Sequence, residues 1–111
     1  MIGTDIIEIE RIREAIKEHG QHFLDRLFTK KEQADCQSHT DPSIRFAGCF
    51  AAKEAIAKAL GCGFGKDLSW LDIEIINDEL GRPHATLKNN KQVAVSISHC
   101  KSHATAVALI H

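Results

Sequence analysis

The first residues, I-G-T-D-I-I-E-I at 2–9, are rich in β-branched side chains and partly alternate, which predicts a strand with Asp5 inside it. From Glu10 the period changes. Ile12 and Ile16 fall four apart in E-R-I-R-E-A-I-K-E-H-G, so an amphipathic helix follows, with Gly20 as its stop. Phe23, Leu24, Leu27 and Phe28 then recur at helical spacing. Thr29 and Glu32 match the S/T-x-x-E capping box and predict another helix to about Ser38, closed by a turn containing Asp41 and Pro42.

The longest helical signal runs from about Pro42 to Leu60, with Asp41 or Ser43 as its cap and Gly61 and Gly63 as its stop. Small residues at Ala47, Ala51, Ala52 and Ala55 let this helix lie close against other backbone, so it is expected at the centre of the packing. Four short strands follow in W-L-D-I-E-I-I-N-D, H-A-T-L, V-A-V-S-I-S and A-T-A-V-A-L-I. Turns at L-G-R-P and C-K-S-H join the first two and the last two as hairpins. Helices in the first half and an antiparallel meander in the second define an α+β domain.

Composition narrows the function. A chain of 111 residues supports one domain, residues 1–111, and its 43% apolar and 26% charged content is that of an ordinary globular protein. Fourteen basic against fifteen acidic residues give a net charge of −1, which argues against a dedicated nucleic-acid binder. No apolar run reaches the roughly 20 residues of a membrane span, and the opening M-I-G-T-D is not a signal segment, so a cytoplasmic address without membrane attachment is expected. The cysteines, Cys36, Cys49, Cys62 and Cys100, are then expected as free thiols. Two C-x-x-H pairs, Cys36 with His39 and Cys100 with His103, leave a zinc site as an alternative.

Two carboxylates stand in apolar surroundings, Asp5 in I-G-T-D-I-I and Glu54 in F-A-A-K-E-A-I. Such a group costs several kcal/mol unless it meets a cation or a metal. A salt bridge from Glu54 to Lys58, four residues on, is one solution. The other is Mg²⁺, which takes one or two carboxylates and completes its shell with water and substrate phosphates. Lys58 can then meet phosphate charge in the same cleft. The loop G-C-G-F-G-K at 61–66 lacks the spacing and the strand-to-helix setting of a Walker loop, so its glycines are first a helix stop. Ser98 and His99 are neighbours on a strand and point to opposite sides, and no G-x-S-x-G elbow is present, which removes a serine hydrolase.

Taken together, G-T-D-I-I-E-I-E-R-I, F-A-A-K-E-A-I-A-K-A-L-G, D-I-E-I-I-N-D-E-L-G-R-P and S-I-S-H resemble, in order and over nearly the whole chain, the holo-[acyl-carrier-protein] synthases, small trimeric 4′-phosphopantetheinyl transferases. The resemblance implies the 4′-phosphopantetheinyl transferase fold. It implies Mg²⁺-dependent transfer of 4′-phosphopantetheine from coenzyme A to a serine of apo-acyl carrier protein, releasing adenosine 3′,5′-bisphosphate and supporting fatty acid biosynthesis. By the same resemblance Asp5 and Glu54 are the magnesium ligands, and Lys58 meets the pyrophosphate. The serine proton goes to a metal-bound water or to Glu54 or Asp5. Gly61, Arg82, Pro83, Ser98 and His99 line the coenzyme A nucleotide, and Arg11 and Arg26 dock the acidic carrier protein. The site is expected at the interfaces of a homotrimer.

Three residues depart from the family pattern: Cys49 stands where arginine is common, Ala57 where serine is frequent, and Cys100 where threonine is frequent. Loss of the cation at Cys49 weakens expected contacts to coenzyme A phosphate, and Arg45, one helical turn earlier, is a candidate substitute. The departures also support a second reading, a non-catalytic module of the same fold that binds nucleotide or carrier.

Overall fold

The computed structural model describes residues 1–111. Strand β1 (Ile2–Glu8) runs into helix α1 (Ile9–Leu27), followed by α2 (Lys30–Gln37) and α3 (Pro42–Leu60). Strands β2 (Ile73–Asn77), β3 (Pro83–Leu87), β4 (Gln92–His99) and β5 (His103–Leu109) complete the chain. All five strands form one antiparallel sheet in the order β1-β5-β4-β3-β2. The last strand therefore returns beside the first. The terminal amine of Met1 donates to the Ile110 carbonyl at 2.6 Å, and Ile110 N–H donates back to Met1 at 2.8 Å.

Helix α3 starts and stops where its punctuation predicts. Asp41 accepts from the Ser43 N–H at 3.2 Å, Pro42 occupies the first turn, and Gly61 takes the left-handed conformation at φ 78°. Between these ends the helix is buried nearly all round, with Phe46, Ala47, Ala51, Ala52, Ala55 and Ile56 inaccessible to solvent. A helix apolar on every side belongs inside a packed body. Here it lies across β1, β5 and β4. The closest approach is at Gly3, where a Cβ would overlap the Ala55 carbonyl oxygen and fall 2.7 Å from the Ala59 nitrogen. Strand and helix meet there through main-chain atoms.

Gly20 interrupts the first helical run as predicted, with φ 56° and ψ −136°, and a second run follows in which Phe23, Leu24 and Leu27 supply an apolar face against the core. One local expectation is revised. The segment beginning at Trp70 is not yet a strand. Ser69 caps a short 3₁₀ turn over Trp70–Asp72, and Asp72 accepts from the Ser69 N–H at 2.9 Å, so β2 begins at Ile73. Trp70 stacks between Phe64, at 3.8 Å between ring centroids, and Phe50, at 5.0 Å, tying the glycine-rich loop to α3.

The capping box of α2 extends into a buried ionic network. Glu32 exchanges hydrogen bonds with Thr29 as predicted, accepting from the Thr29 N–H at 2.7 Å. Its carboxylate also accepts from Lys53 Nζ at 2.7 Å, the Ile75 N–H at 2.8 Å and the Cys49 thiol at 3.3 Å. Lys53 donates in addition to the Leu27 and Trp70 carbonyls at 2.7 and 3.0 Å. Both side chains are fully buried. Every donor and acceptor in the network is matched, the condition under which an internal ion pair is tolerated.

Candidate active site

Alternation along β1 directs Gly3, Asp5 and Ile7 toward α3 and leaves Ile2, Thr4, Ile6 and Glu8 on the outer face. Asp5 is thereby carried to the C-terminal half of α3. Lys58, in the last turn of that helix, donates to Asp5 Oδ1 at 3.1 Å and to the Thr4 carbonyl at 2.9 Å. The ion pair is therefore made with Asp5 and not with Glu54, the i, i+4 partner suggested by helix spacing alone. Glu54 lies one turn before Lys58 and is half-buried. Its carboxyl is held above the usual carboxylate range, first by burial and then by the negative charge of Asp5, with Lys58 opposing.

This arrangement fits a hard divalent cation. Two carboxylates from separate elements lie close enough for one to hinder ionisation of the other, and a cation between them removes that penalty. Their oxygen donors are the kind Mg²⁺ prefers, and two carboxylates leave most of an octahedral shell for water or phosphate. The zinc alternative has no such support: the two C-x-x-H pairs do not converge into a group of three or more ligating side chains, and all four cysteines are free thiols.

Further along α3, toward its N-terminus, the structure encloses a cavity of about 190 Å³. One wall is α3, through Ile44, Arg45, Gly48 and Cys49, with Asp35 and Cys36 from α2 beside it. The other wall is the sheet, through Ile75, Asn77, Pro83, Ile97 and His99, with Gly81 from the β2–β3 turn. Nine residues separate Arg45 from Glu54, about 14 Å along a helix axis. The same nine positions turn Glu54 about half a turn around the helix from Arg45, so the cavity and the carboxylate–lysine cluster occupy different faces of α3.

The residues predicted from sequence divide accordingly. Asp5, Glu54 and Lys58 form the cluster. Pro83 and His99 line the cavity, whereas Arg82 points away to an ion pair with Asp78 at 3.5 Å. Ser98 faces the opposite side of β4 from His99, and Gly61 is the C-cap of α3, so neither lines the cavity in this chain. Arg11 and Arg26 are exposed on α1 and paired with no carboxylate, while Arg13 is engaged by Glu10 and Asp41 at 3.1 and 3.0 Å. Sequence reasoning did not reach Asp35 and Asn77 as cavity residues. They lie on separate elements whose approach only the tertiary fold defines.

A strand carboxylate, a helix carboxylate and a lysine, on a helix that also walls a cavity, form the donor set of a phosphate-handling transferase. The chain belongs to the 4′-phosphopantetheinyl transferase superfamily, whose family model matches residues 1–109. It is 50% identical over 115 aligned residues to the holo-[acyl-carrier-protein] synthase of Protochlamydia amoebophila, an alignment covering 97% of this chain and 94% of that one. The corresponding enzyme of Chlamydia pneumoniae is 51% identical, with 97% and 93% covered. Among solved structures, the holo-[acyl-carrier-protein] synthase of Helicobacter pylori in complex with coenzyme A superposes with a TM-score of 0.92 at 39% identity, covering all of both chains. The Bacillus anthracis enzyme, in complex with coenzyme A (3′,5′-ADP), gives 0.86, also at 39% identity, with 96% and 91% covered. The fold expected from the resemblance is the one observed.

Proposed function

We propose that this chain transfers 4′-phosphopantetheine from coenzyme A to a serine hydroxyl of apo-acyl carrier protein and releases adenosine 3′,5′-bisphosphate. The observation that carries the reading is the cluster of Asp5, Glu54 and Lys58, with Lys58 3.1 Å from Asp5, set on the same helix as the cavity. Asp5 and Glu54 would hold Mg²⁺, which when bound supplies positive charge to the pyrophosphate oxygens. Lys58 turns from Asp5 and the Thr4 carbonyl toward the bridging oxygen and stabilises charge on the departing nucleotide. The serine oxygen forms a bond to the pantetheine-side phosphorus as the bond from that phosphorus to the bridging oxygen breaks. The serine proton passes to Glu54 or Asp5, directly or through water. Such transfers depend chiefly on positioning and electrostatics, which a preformed cluster provides.

Arg11 and Arg26, free of carboxylate partners, are the docking cations for an acidic carrier. The outer sheet face leaves Ile2 and Ile6 66% exposed, with Val107 and Leu109 exposed beside them. An apolar strip of this kind favours association, and the reading includes a homotrimer whose neighbouring chain completes the nucleotide site, bringing Arg82 and Ser98 of an adjoining copy toward it. A cytoplasmic enzyme serving fatty acid biosynthesis is the setting this activity implies.

The test is the mass of apo-carrier protein after incubation with enzyme and coenzyme A, with and without Mg²⁺. The expected result is a Mg²⁺-dependent gain of one phosphopantetheine. Absence of any gain, with a correctly folded oligomer, favours the non-catalytic binding module.

A further inference from the structure

Glu54 is aimed at Asp5 only while α3 is turned to one angle about its own axis. The face of α3 that meets β1 does little to set that angle. Ala51, Ala55 and Ala59 recur four apart and are buried, and Gly3 packs directly on the main chain of Ala55 and Ala59. Backbone against backbone limits how close strand and helix come, but methyl groups beside a glycine raise no ridge that engages a groove and stops the helix from turning. Glu54 magnifies any such turn. A carboxylate about 6 Å from the helix axis moves about 2 Å for a rotation of about 20°, as far as a whole metal–oxygen bond.

The helix is gripped from its other side. Lys53, two positions before Ala55 and so about 200° around the axis, uses all three of its N–H donors on fixed acceptors. These are the Leu27 carbonyl at 2.7 Å, Glu32 Oε1 at 2.7 Å and the Trp70 carbonyl at 3.0 Å. They belong to the end of α1, to α2 and to the turn before β2. Glu32 is itself held by the Thr29 and Ile75 N–H groups at 2.7 and 2.8 Å, and the ammonium lies 5.5 Å from the centre of the Phe28 ring. Three acceptors on three segments fix a point in space, and the side chain that ends there is fully buried.

We infer that Lys53 is a positioning residue: anchored on Leu27, Glu32 and Trp70, it fixes the rotation of α3 and thereby holds Glu54, the next residue, toward Asp5. The inference rests on the transferase reading above, in which Asp5 and Glu54 hold the metal, and adds to it a residue that touches neither substrate nor metal. Well-packed apolar residues supply as much stability as an interior ion pair. What three aligned, charge-assisted hydrogen bonds add is direction.

The experiment measures Mn²⁺ binding by calorimetry, without coenzyme A or carrier. It compares the natural protein, Glu54→Gln, the network variant Glu32→Gln with Lys53→Met, and the triple variant that combines them. The network variant removes both buried charges together, and circular dichroism checks its fold; Lys53→Met alone, supported by sucrose, is a second form of the same perturbation. The network variant is expected to weaken Mn²⁺ binding about tenfold, and the Mg²⁺ concentration for half-maximal transfer rises by the same factor. Glu54→Gln costs about tenfold in the natural protein and less than about twofold in the network variant, because a carboxylate already turned aside has little left to lose. Val93→Ala, a core truncation on β4 outside the network, lowers the urea midpoint and leaves Mn²⁺ affinity within about twofold. Unchanged Mn²⁺ affinity in the network variant, the same cost of Glu54→Gln in both backgrounds, or an equal loss with Val93→Ala would overturn the assignment. A natural protein that binds Mn²⁺ no better than Asp5→Asn with Glu54→Gln refutes the metal reading of the cluster and the assignment with it. Coupled Mn²⁺ binding without any mass gain in the carrier refutes the transfer and leaves the assignment of Lys53 standing.

Discussion

Replacing Lys53 by methionine isolates the energetic role of the buried network. The substitution keeps an unbranched apolar stem, shorter by one atom, and removes the charge. Glu32 is then left with the Thr29 and Ile75 N–H groups and the Cys49 thiol, but without its counterion, while the Leu27 and Trp70 carbonyls each lose a donor. Breaking a buried pair on one side costs about 3–5 kcal/mol, and the two orphaned carbonyls place this case toward the upper part of that range, at about 4 kcal/mol. That is a large share of the roughly 5–15 kcal/mol that holds a domain of this size together. With a urea m-value of about 2 kcal/mol/M, the unfolding midpoint falls by about 2 M. Trp70 is the only tryptophan and its carbonyl belongs to the network, so its fluorescence follows unfolding, with far-ultraviolet circular dichroism as the second probe. The double substitution Glu32→Gln with Lys53→Met removes both charges and recovers part of the loss. A loss below about 1 kcal/mol for Lys53→Met, or a double variant weaker than the single one, refutes the reasoning.

Glu54→Gln separates stability from activity: it abolishes carrier modification in the mass assay and raises the urea midpoint at neutral pH, because the amide removes a half-buried charge facing Asp5. Gly3→Ala forces α3 and β1 apart and costs about 3 kcal/mol or more, seen as a lowered thermal midpoint. In the β2–β3 turn, hydrogen bonds from His84 and from the Arg82 and Leu80 N–H groups hold the Asp78 carboxyl down at about 2. A depressed carboxyl stabilises the fold above its unfolded value of about 3.9 and loses that contribution as pH falls toward about 2. Asp78→Asn therefore lowers stability at pH 6 and flattens the decline between about pH 4 and 2, measured by urea midpoints across that range.

The parts of the fold legible in the sequence were those written in local chemistry. Asp41, Pro42 and Gly61 bounded α3, and Thr29 with Glu32 opened α2. The return of β5 to β1 was not legible, because pairing across a hundred residues leaves no short-range mark. Trp70 was read as strand because Leu71, Ile73 and Ile75 alternate after it, but the Ser69–Asp72 cap took precedence. Within the site, Asp5 and Glu54 stood out as charges among apolar neighbours. The partner of Lys58 did not, since helix spacing favoured Glu54 and only the approach of β1 brought Asp5 nearer. Lys53 and Glu54 are adjacent in sequence, yet one faces the interior and the other the cleft. A rotation of about 100° per residue separates them, and nothing in a polar pair indicates which side is inward.

Gly3 gives the paired carboxylates an unusual kind of support. Because main chain rests on main chain between β1 and α3, the spacing of Asp5 from Glu54 is set by two backbones and not by the girth of an intervening side chain. Such a seat has little give. Any slide of β1 along α3 would therefore move Asp5 relative to Glu54 directly, with no side chain between the two backbones to take up the displacement.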